Sequence, residues 1–265
     1  MNSAFDTIAN EYDVTFTQTK IGRAQRERVW AYLEKIMAKN KSFKVLELNC
    51  GTGEDAVWFA KKGHSVLATD VSEKMLEITE QKVIQNKLSN KIKTQKLDLS
   101  KIDKINIDDN FDLIFSNFGG INCISLDELT KFPETIYKLL KPSGIIILVI
   151  MPGFCMWESF YYSAKLKFKE AFRRSKKNGV SVKFNGNEIL TFYHSPKKIK
   201  NIFAKNFNVS HLKPIGFFIP PSYLEKFVAT KDKTFNFLLK LESLIAHWSF
   251  LSSYSDHYLI KLNPK

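Results

Sequence analysis

Long apolar runs, a basic leader and clustered cysteines are all missing from this 265-residue chain. The longest apolar stretch, Ile145 to Met151, meets Pro152 and Gly153 at once. It falls far short of the roughly 20 residues that a membrane-spanning helix needs, so it reads as a buried strand. The N-terminus, Met-Asn-Ser-Ala-Phe-Asp, lacks the basic stretch and apolar core of a secretory leader, and a cytoplasmic location is expected. Cys50, Cys123 and Cys155 stand far apart and form neither a CxxC pair nor a group with histidine. That argues against disulfides and structural zinc and for small buried thiols. Nor is the chain short of apolar residues: 44% are hydrophobic and 22 are Phe, which excludes intrinsic disorder and supports one globular domain with insertions.

Acidic residues are scarce in one half only. Residues 1–150 balance at +1, whereas residues 151–265 carry 19 basic and 7 acidic side chains, a balance of +12. Such a half attracts nucleic acid, an anionic membrane surface or an acidic ligand through the same long-range field. The excess is scattered lysine rather than a clustered motif, so a solvated basic surface explains it equally well.

Apolar runs separated by helical spacing set the organisation. Strands are expected at Lys44–Leu48, His64–Thr69, Ile92–Leu97, Phe111–Ser116 and Ile145–Ile150. Helices follow from about Ala56 to Lys62, from Glu73 to Asn86 with Ser72 as N-cap, and from Asp127 to Leu140 before the turn Lys141-Pro-Ser-Gly144. Strands alternating with helices mean a doubly wound, mostly parallel sheet. After the fifth strand the rhythm breaks. Phe154 to Lys177 reads as one long aromatic and basic helix, and Val180 to His194 as a hairpin around Asn185-Gly186-Asn187. Ser195-Pro196 opens another helix, Phe207–Phe218 resumes the sheet, Phe235–Phe250 is a further helix and His257–Leu262 a seventh strand.

In an open parallel sheet, ligands sit beyond the carboxyl ends of the strands. There lie Glu47 to Gly53, Asp70, Asp98 and Ser116 to Cys123. Gly51-Thr-Gly53-Glu-Asp-Ala56 matches GxGxxA, with Asp70 following Gly51 by 19 residues, a spacing that also suits a dinucleotide. Glu47 at the mouth of the loop would repel a pyrophosphate but not a cationic sulfonium amino acid. Asp98 could accept a hydrogen bond from an adenine amine.

These residues resemble the class I S-adenosylmethionine-dependent methyltransferases over about residues 5–150. Val45-Leu-Glu-Leu-Asn-Cys-Gly-Thr-Gly53, Ala68-Thr-Asp70 with Ser72 and Met75-Leu76, Leu97-Asp98-Leu99, Phe111–Ser116 and Leu139-Leu-Lys-Pro-Ser-Gly144 carry the likeness. Ala4 to Asp13 looks like the entry segment of the quinone-biosynthesis type, in which an aromatic residue, here Tyr12, folds over the cofactor. The resemblance implies a Rossmann-like seven-stranded sheet with a helical and hairpin cap after strand five. It divides the chain into a covering helical segment 1–42, a cofactor-binding core 43–150, a cap 151–194 and a sheet completion 195–265. Gly51 and Gly53 would let the backbone approach the methionine part, Asp70 would hold the ribose, and Asp98 the adenine between Met75 and Leu99. Val71 would also contact the cofactor, and Asn117 and Phe118 would lie near the methyl group. The family usually has glycine where this chain has Asn49, and asparagine tolerates the left-handed conformation better than most residues.

The acceptor is less legible. The [DNS]PP[YFW] loop of amino-methylating nucleobase enzymes is replaced by Asn117-Phe-Gly-Gly120, and Pro220-Pro221-Ser222-Tyr223 falls too late, reading as a rigid turn that closes the pocket. Ser116-Asn117 offers no carboxylate to a metal, so none is expected. Asn122, Trp157, Tyr161, Tyr193 and Phe218 are candidate walls for a small aromatic or apolar acceptor, though a plain core would use similar residues. His194 is a candidate general base. One of Arg23, Arg26 and Arg28 could pair with the cofactor carboxylate. The rival readings are an RNA methyltransferase using the basic half, a non-catalytic cofactor-binding module, and a nicotinamide-dependent oxidoreductase. The stretch from Glu158 to Lys177 could also rest on a membrane surface as a peripheral contact. Both a monomer and a homodimer remain open.

Overall fold

A computed structural model describes residues 5–37, 41–105, 107–176, 178–184 and 187–265. In chain order the helices are α1 (Ala9–Tyr12), α2 (Lys20–Ile36), α3 (Glu54–Lys61), α4 (Glu73–Gln85), α5 (Leu126–Leu129), α6 (Phe132–Leu139), α7 (Met156–Ala164), α8 (Phe168–Ala171), α9 (Pro196–Phe203), α10 (Glu225–Val228) and α11 (Asp232–Leu244). The strands are β1 (Lys44–Glu47), β2 (Ser65–Asp70), β3 (Ile92–Lys96), β4 (Phe111–Ser116), β5 (Leu140–Ile150), β6 (Val180–Phe184), β7 (Asn187–Thr191), β8 (Phe207–Ile215) and β9 (His257–Pro264).

Period-two alternation along the central strands decides the layering. Val45, Phe115, Ile147 and Leu259 join one apolar layer with Val29 and Leu33 of α2 and Phe59 of α3. Their neighbours Leu46, Ile114, Ile146 and Ile260 join the opposite layer with Phe132 and Ile136 of α6 and Ile199 and Phe203 of α9. Both faces are therefore covered, which is why Leu113–Phe115 of β4 and Ile145–Ile150 of β5 are continuously apolar. The seven-stranded sheet has the order β3-β2-β1-β4-β5-β9-β8. Neighbours are parallel from β3 to β5, while β9 runs antiparallel to both β5 and β8. The expected doubly wound, mostly parallel sheet is thus the observed one. Two caps read from sequence form as well: Ser72 Oγ accepts from Met75 N–H at 3.2 Å, and Ser195 accepts from Lys198 N–H ahead of Pro196.

Several elements differ from expectation. The single helix over Phe154–Lys177 is broken into α7, α8 and a 3₁₀ turn at Arg173–Ser175. Buried Glu158 receives hydrogen bonds from both Arg173 and Arg174. A continuous helix rising 1.5 Å per residue would carry those arginines roughly 22 Å away. Leu166, at φ 58°, makes the turn back. The expected helix Asp127–Leu140 splits into α5 and α6. The turn Lys141–Gly144 is absorbed into β5 as an irregularity, because Leu140 already pairs with Phe111 before the register shifts. β8 ends at Ile215 rather than Phe218, and α11 spans 232–244 rather than 235–250. The hairpin forms as β6 paired antiparallel with β7, while its expected turn residues Asn185 and Gly186 lie outside the described residues. Among the described residues no helix is long and apolar enough to cross a membrane.

Candidate active site

A cavity of about 400 Å³ opens beyond the carboxyl ends of β1 to β5, at the point where the strand order reverses between β1 and β4. Of the residues singled out from sequence, Tyr12, Asn49, Gly51, Asp70, Val71, Met75, Asp98, Leu99, Asn117, Phe118 and Tyr193 line it. Glu47, Gly53, Asn122, Trp157, Tyr161, Phe218 and His194 are not among the lining residues.

The loop after β1 is fixed by the strand beside it. Gly51 (φ 54°) donates its N–H to Asp70 Oδ2 at 2.9 Å, and Ser72 N–H donates to Oδ1 at 2.9 Å. The Val71 N–H also bonds the carboxylate, and a carboxylate has about four acceptor sites, so it can still accept from a ligand. Burial holds the Asp70 carboxyl above its usual range even though these bonds oppose the shift. Gly53 shapes the loop without lining the cavity: at φ 76° a Cβ would stand 2.5 Å from Thr79 Cγ2. Asp98 caps the turn that follows β3, accepting from Ser100 N–H at 3.0 Å. Burial opposes ionisation there, but the hydrogen bonds from Ser100 and the Lys101 ammonium win and lower its pKa.

Asn49 does not take the left-handed conformation anticipated for it. Among the described residues the non-glycines with positive φ are Lys87, Phe118 and Leu166. Its amide instead bridges two strands, donating to Asn117 O at 2.6 Å and accepting from Ser116 Oγ. Gly120 has to be glycine for this brace, since a Cβ there would lie 2.0 Å from Asn49 Cγ.

Beneath the loop, charge is only partly paired. Arg26 of α2 lines the cavity and pairs with buried Asp55, which also accepts from Trp30 at 2.6 Å and Asn117 at 3.0 Å. Arg26 Nε and both carboxylate oxygens of Glu47 are buried without a hydrogen-bond partner among the described residues. Burial, reinforced by Asp55, pushes the Glu47 carboxyl well above its usual range. Phe118 carries the Arg26 guanidinium over its ring at 5.3 Å.

The opposite wall is built from sequence-distant groups. Glu158 of α7, buried, accepts from Arg173 Nε at 2.7 Å and Arg174 Nη2 at 3.1 Å. Arg174 also donates to Asp256 Oδ1 at 2.7 Å. Asp256 further accepts from Gln25 at 3.1 Å and stands 3.2 Å from His257 Nδ1. Arg173, Arg174, Asp256, His257 and Tyr223 all line the cavity, and none was singled out as a site residue from sequence. The adjacent Asp256-His257 at the entry of the last strand was the one available signal. Pro221, Ser222 and Tyr223 do close the cavity at the turn read from the Pro-Pro pair.

The remaining candidates have structural occupations. Asn122 donates to Met151 O and Phe192 O at 3.1 and 2.7 Å and accepts from Met151 N–H, stitching the end of β5 to the segment after β7. Trp157 and Tyr161 pack on a satellite core with Ile21, Ile219 and Phe235. Phe218 N–H, with those of Gly216, Phe217 and Ile219, is held by the buried carboxylate of Glu242. His194 stands 3.1 Å from the Ile124 carbonyl, away from the cavity, and burial lowers its pKa. Cys50 and Cys155 are buried free thiols as expected, whereas Cys123 is exposed and lines the cavity. Among the described residues no group of three or more His, Cys, Asp or Glu side chains gathers to hold a metal.

Residues 45–144 match the methyltransferase domain family. Curated relatives include the demethylmenaquinone methyltransferase of Clavibacter sepedonicus, 29% identical over 56% of this chain and 56% of that protein. The ubiquinone/menaquinone biosynthesis C-methyltransferase UbiE of Geotalea daltonii is 29% identical over 62% of this chain and 68% of its own. The chain thus spans between about a half and two thirds of the length of these relatives. Among solved structures, the CcbJ methyltransferase of Streptomyces caelestis superposes with a TM-score of 0.63 at 13% identity over 99% of this chain and 98% of its own. The DhpI–SAH complex gives 0.58 at 16% identity over 98% and 93%. The solved structures share the fold of this chain, and the likeness to the methyltransferase domain family begins at β1 and takes in the glycine loop and the acids that follow it.

Proposed function

We propose that this chain is a metal-independent S-adenosylmethionine-dependent methyltransferase acting on a small aromatic or apolar acceptor. The observation that carries the reading is the set of orphaned polar atoms beneath the glycine loop, the Glu47 carboxylate and Arg26 Nε. A buried polar atom left unpaired costs about 1–3 kcal/mol, so a bound amino acid group that reached these atoms would be favoured, and Arg26 already lines the cavity. When bound, S-adenosylmethionine supplies an electrophilic methyl carbon on a cationic sulfur. Asp70 offers its free lone pairs to ribose hydroxyls, Asp98 accepts from the adenine amine, and Val71, Met75 and Leu99 supply apolar surface to the ring. Tyr12, Phe16 and Phe118, with successive ring centroids 5.6 and 5.5 Å apart, line the cavity and would give the sulfonium an aromatic surround.

The names of the curated relatives support a quinone-like acceptor, and the cavity's Tyr193, Tyr223 and Ile189 suit an aromatic ring. On the same reading the segment 151–194 serves as a cap over the acceptor. A nucleic-acid acceptor is less favoured, since Arg173 and Arg174, the groups of the basic half able to clamp phosphate bidentately, are spent on Glu158 and Asp256. The test is calorimetric titration with S-adenosylmethionine, S-adenosylhomocysteine and NAD beside an Asp70→Ala variant. The two sulfur compounds should bind, at least tenfold more weakly in the variant; binding of NAD alone, or of nothing, overturns the reading.

A further inference from the structure

Four aromatic rings cross the cavity in sequence. Tyr12, whose Cε1 lies 3.9 Å from where a Gly51 Cβ would stand, touches Phe16; Phe16 meets Phe118 edge-on at 5.5 Å; and Phe118 meets His257 edge-on at 5.1 Å. His257 therefore sits at the far end of a chain of contacts that starts at the glycine loop, on the side walled by Tyr193 and Tyr223. It is the one histidine among the described lining residues, and its Nδ1 stands 3.2 Å from Asp256 Oδ2, within ion-pair distance but with no hydrogen bond to a described residue. Asp256 is itself held by Arg174 and Gln25, so the carboxylate cannot swing away.

The other lining acids are committed elsewhere. Asp55 serves Arg26, Trp30 and Asn117, Asp70 serves backbone N–H groups, Asp98 caps its turn beside Lys101, and Glu54 pairs with Lys82. The cavity also shows what it does to a phenol: burial pushes Tyr12 up to about 12 and raises Tyr193. A hydroxylic acceptor bound here would keep its proton unless a base removed it.

We propose that His257 is the general base that takes the proton of a phenolic or enolic hydroxyl on the acceptor, with Asp256 as its positioning residue. The proposal rests on the methyltransferase reading above. The acceptor O–H bond breaks and its proton passes to the Nε2 lone pair. The electron pair left on oxygen, or delocalised to a neighbouring ring carbon, forms the bond to the methyl carbon as the carbon–sulfur pair withdraws onto sulfur. The imidazolium would form beside Asp256, whose carboxylate also holds Arg174. The charged and titratable groups around the pair are Asp256 itself, Arg173 and Arg174 from the turn after α8, Glu158 and Cys155 at α7, Tyr193 after β7, Tyr223 after β8, and Arg26 of α2 across Phe118. Arg173 and Arg174 are paired with Glu158 and Asp256, and Arg26 with Asp55.

The test pairs His257→Asn with the wild-type chain. Calorimetry with S-adenosylmethionine should give the same affinity for both within a few-fold; failure of the wild type to bind would remove the methyltransferase reading instead. Methyl transfer to 2-naphthol should fall about 10²–10⁴-fold in kcat with little change in KM, and transfer to a more acidic ring-fluorinated 2-naphthol should fall much less. In ¹⁵N NMR of histidine-labelled protein, neutral His257 should carry its proton on Nδ1, and Asp256→Asn should disturb that tautomer. Equal loss on both naphthols, an Nε2–H tautomer, or no transfer by the wild type to either naphthol would overturn the assignment.

Discussion

Glu47 and Glu158 are both buried to 1% exposure on the two sides of one cavity, yet they are treated oppositely. Glu158 is wrapped by two guanidinium groups, whereas Glu47 has no hydrogen-bond partner among the described residues. Charge that serves the fold is paired in the fold, because an uncompensated buried ion costs several kcal/mol. A carboxyl left unpaired is instead held by burial well above its usual range, which favours its neutral form. The wall around Glu158 thus keeps its charges in pairs, and the side beneath the glycine loop keeps its buried carboxyl without a counter-ion.

Breaking the paired side should have the largest effect. Glu158→Ala leaves Arg173 uncompensated and Arg174 with Asp256 alone, and should cost about 3–5 kcal/mol in urea unfolding. If the loss stayed below about 1 kcal/mol, the wall would not depend on that carboxylate. The loop side should respond less: Gly53→Ala forces a side chain into a left-handed position against Thr79 and should cost about 1–3 kcal/mol, with a weaker affinity for S-adenosylmethionine. Trimming Thr79 to Ser in the same chain should recover only the steric part.

The smallest and most discriminating change is Glu47→Gln. Burial raises the folded pKa of Glu47 above its unfolded value of about 4.3, so in that interval the folded chain holds a proton that the unfolded chain has lost. Stability supplied by the neutral carboxyl is complete below the unfolded value and declines as pH climbs through the raised one. Glu47→Gln should remove that decline and lift the ligand-free thermal midpoint at neutral pH by on the order of 2–4 °C. It should also weaken binding of S-adenosylmethionine. A variant less stable than wild type at pH 7 would show that Glu47 has a partner in the fold.

How legible each side was follows from the same contrast. The glycine loop, Asp70 and Asp98 are placed by residues a few positions away, because a strand end, a tight turn and a helix start are local constructions. Asn49 shows the limit of local reasoning: its departure from glycine is a side-chain brace to Ser116 and Asn117, visible only once β1 and β4 lie side by side. Across the cavity, aromatic content pointed at Trp157 and Tyr161, which pack on a satellite core, at Phe218, whose N–H is held by Glu242, and at His194, which is spent on a carbonyl. Nothing in the spacing of Gln25, Glu158, Arg174 and Asp256 announces that four segments converge.

The sequence by itself determined the doubly wound sheet, the order of its first five strands and helices, and the position of the glycine loop with its following acids. Hydrophobic period and turn chemistry are read within a dozen residues. Only the tertiary structure decided that the stretch after β5 folds back on Glu158, that Arg26 reaches under the loop, and that Asp256 and His257 face the cavity. Those outcomes depend on where buried charges find their counterparts, and that pairing is settled across the whole chain rather than within any one element.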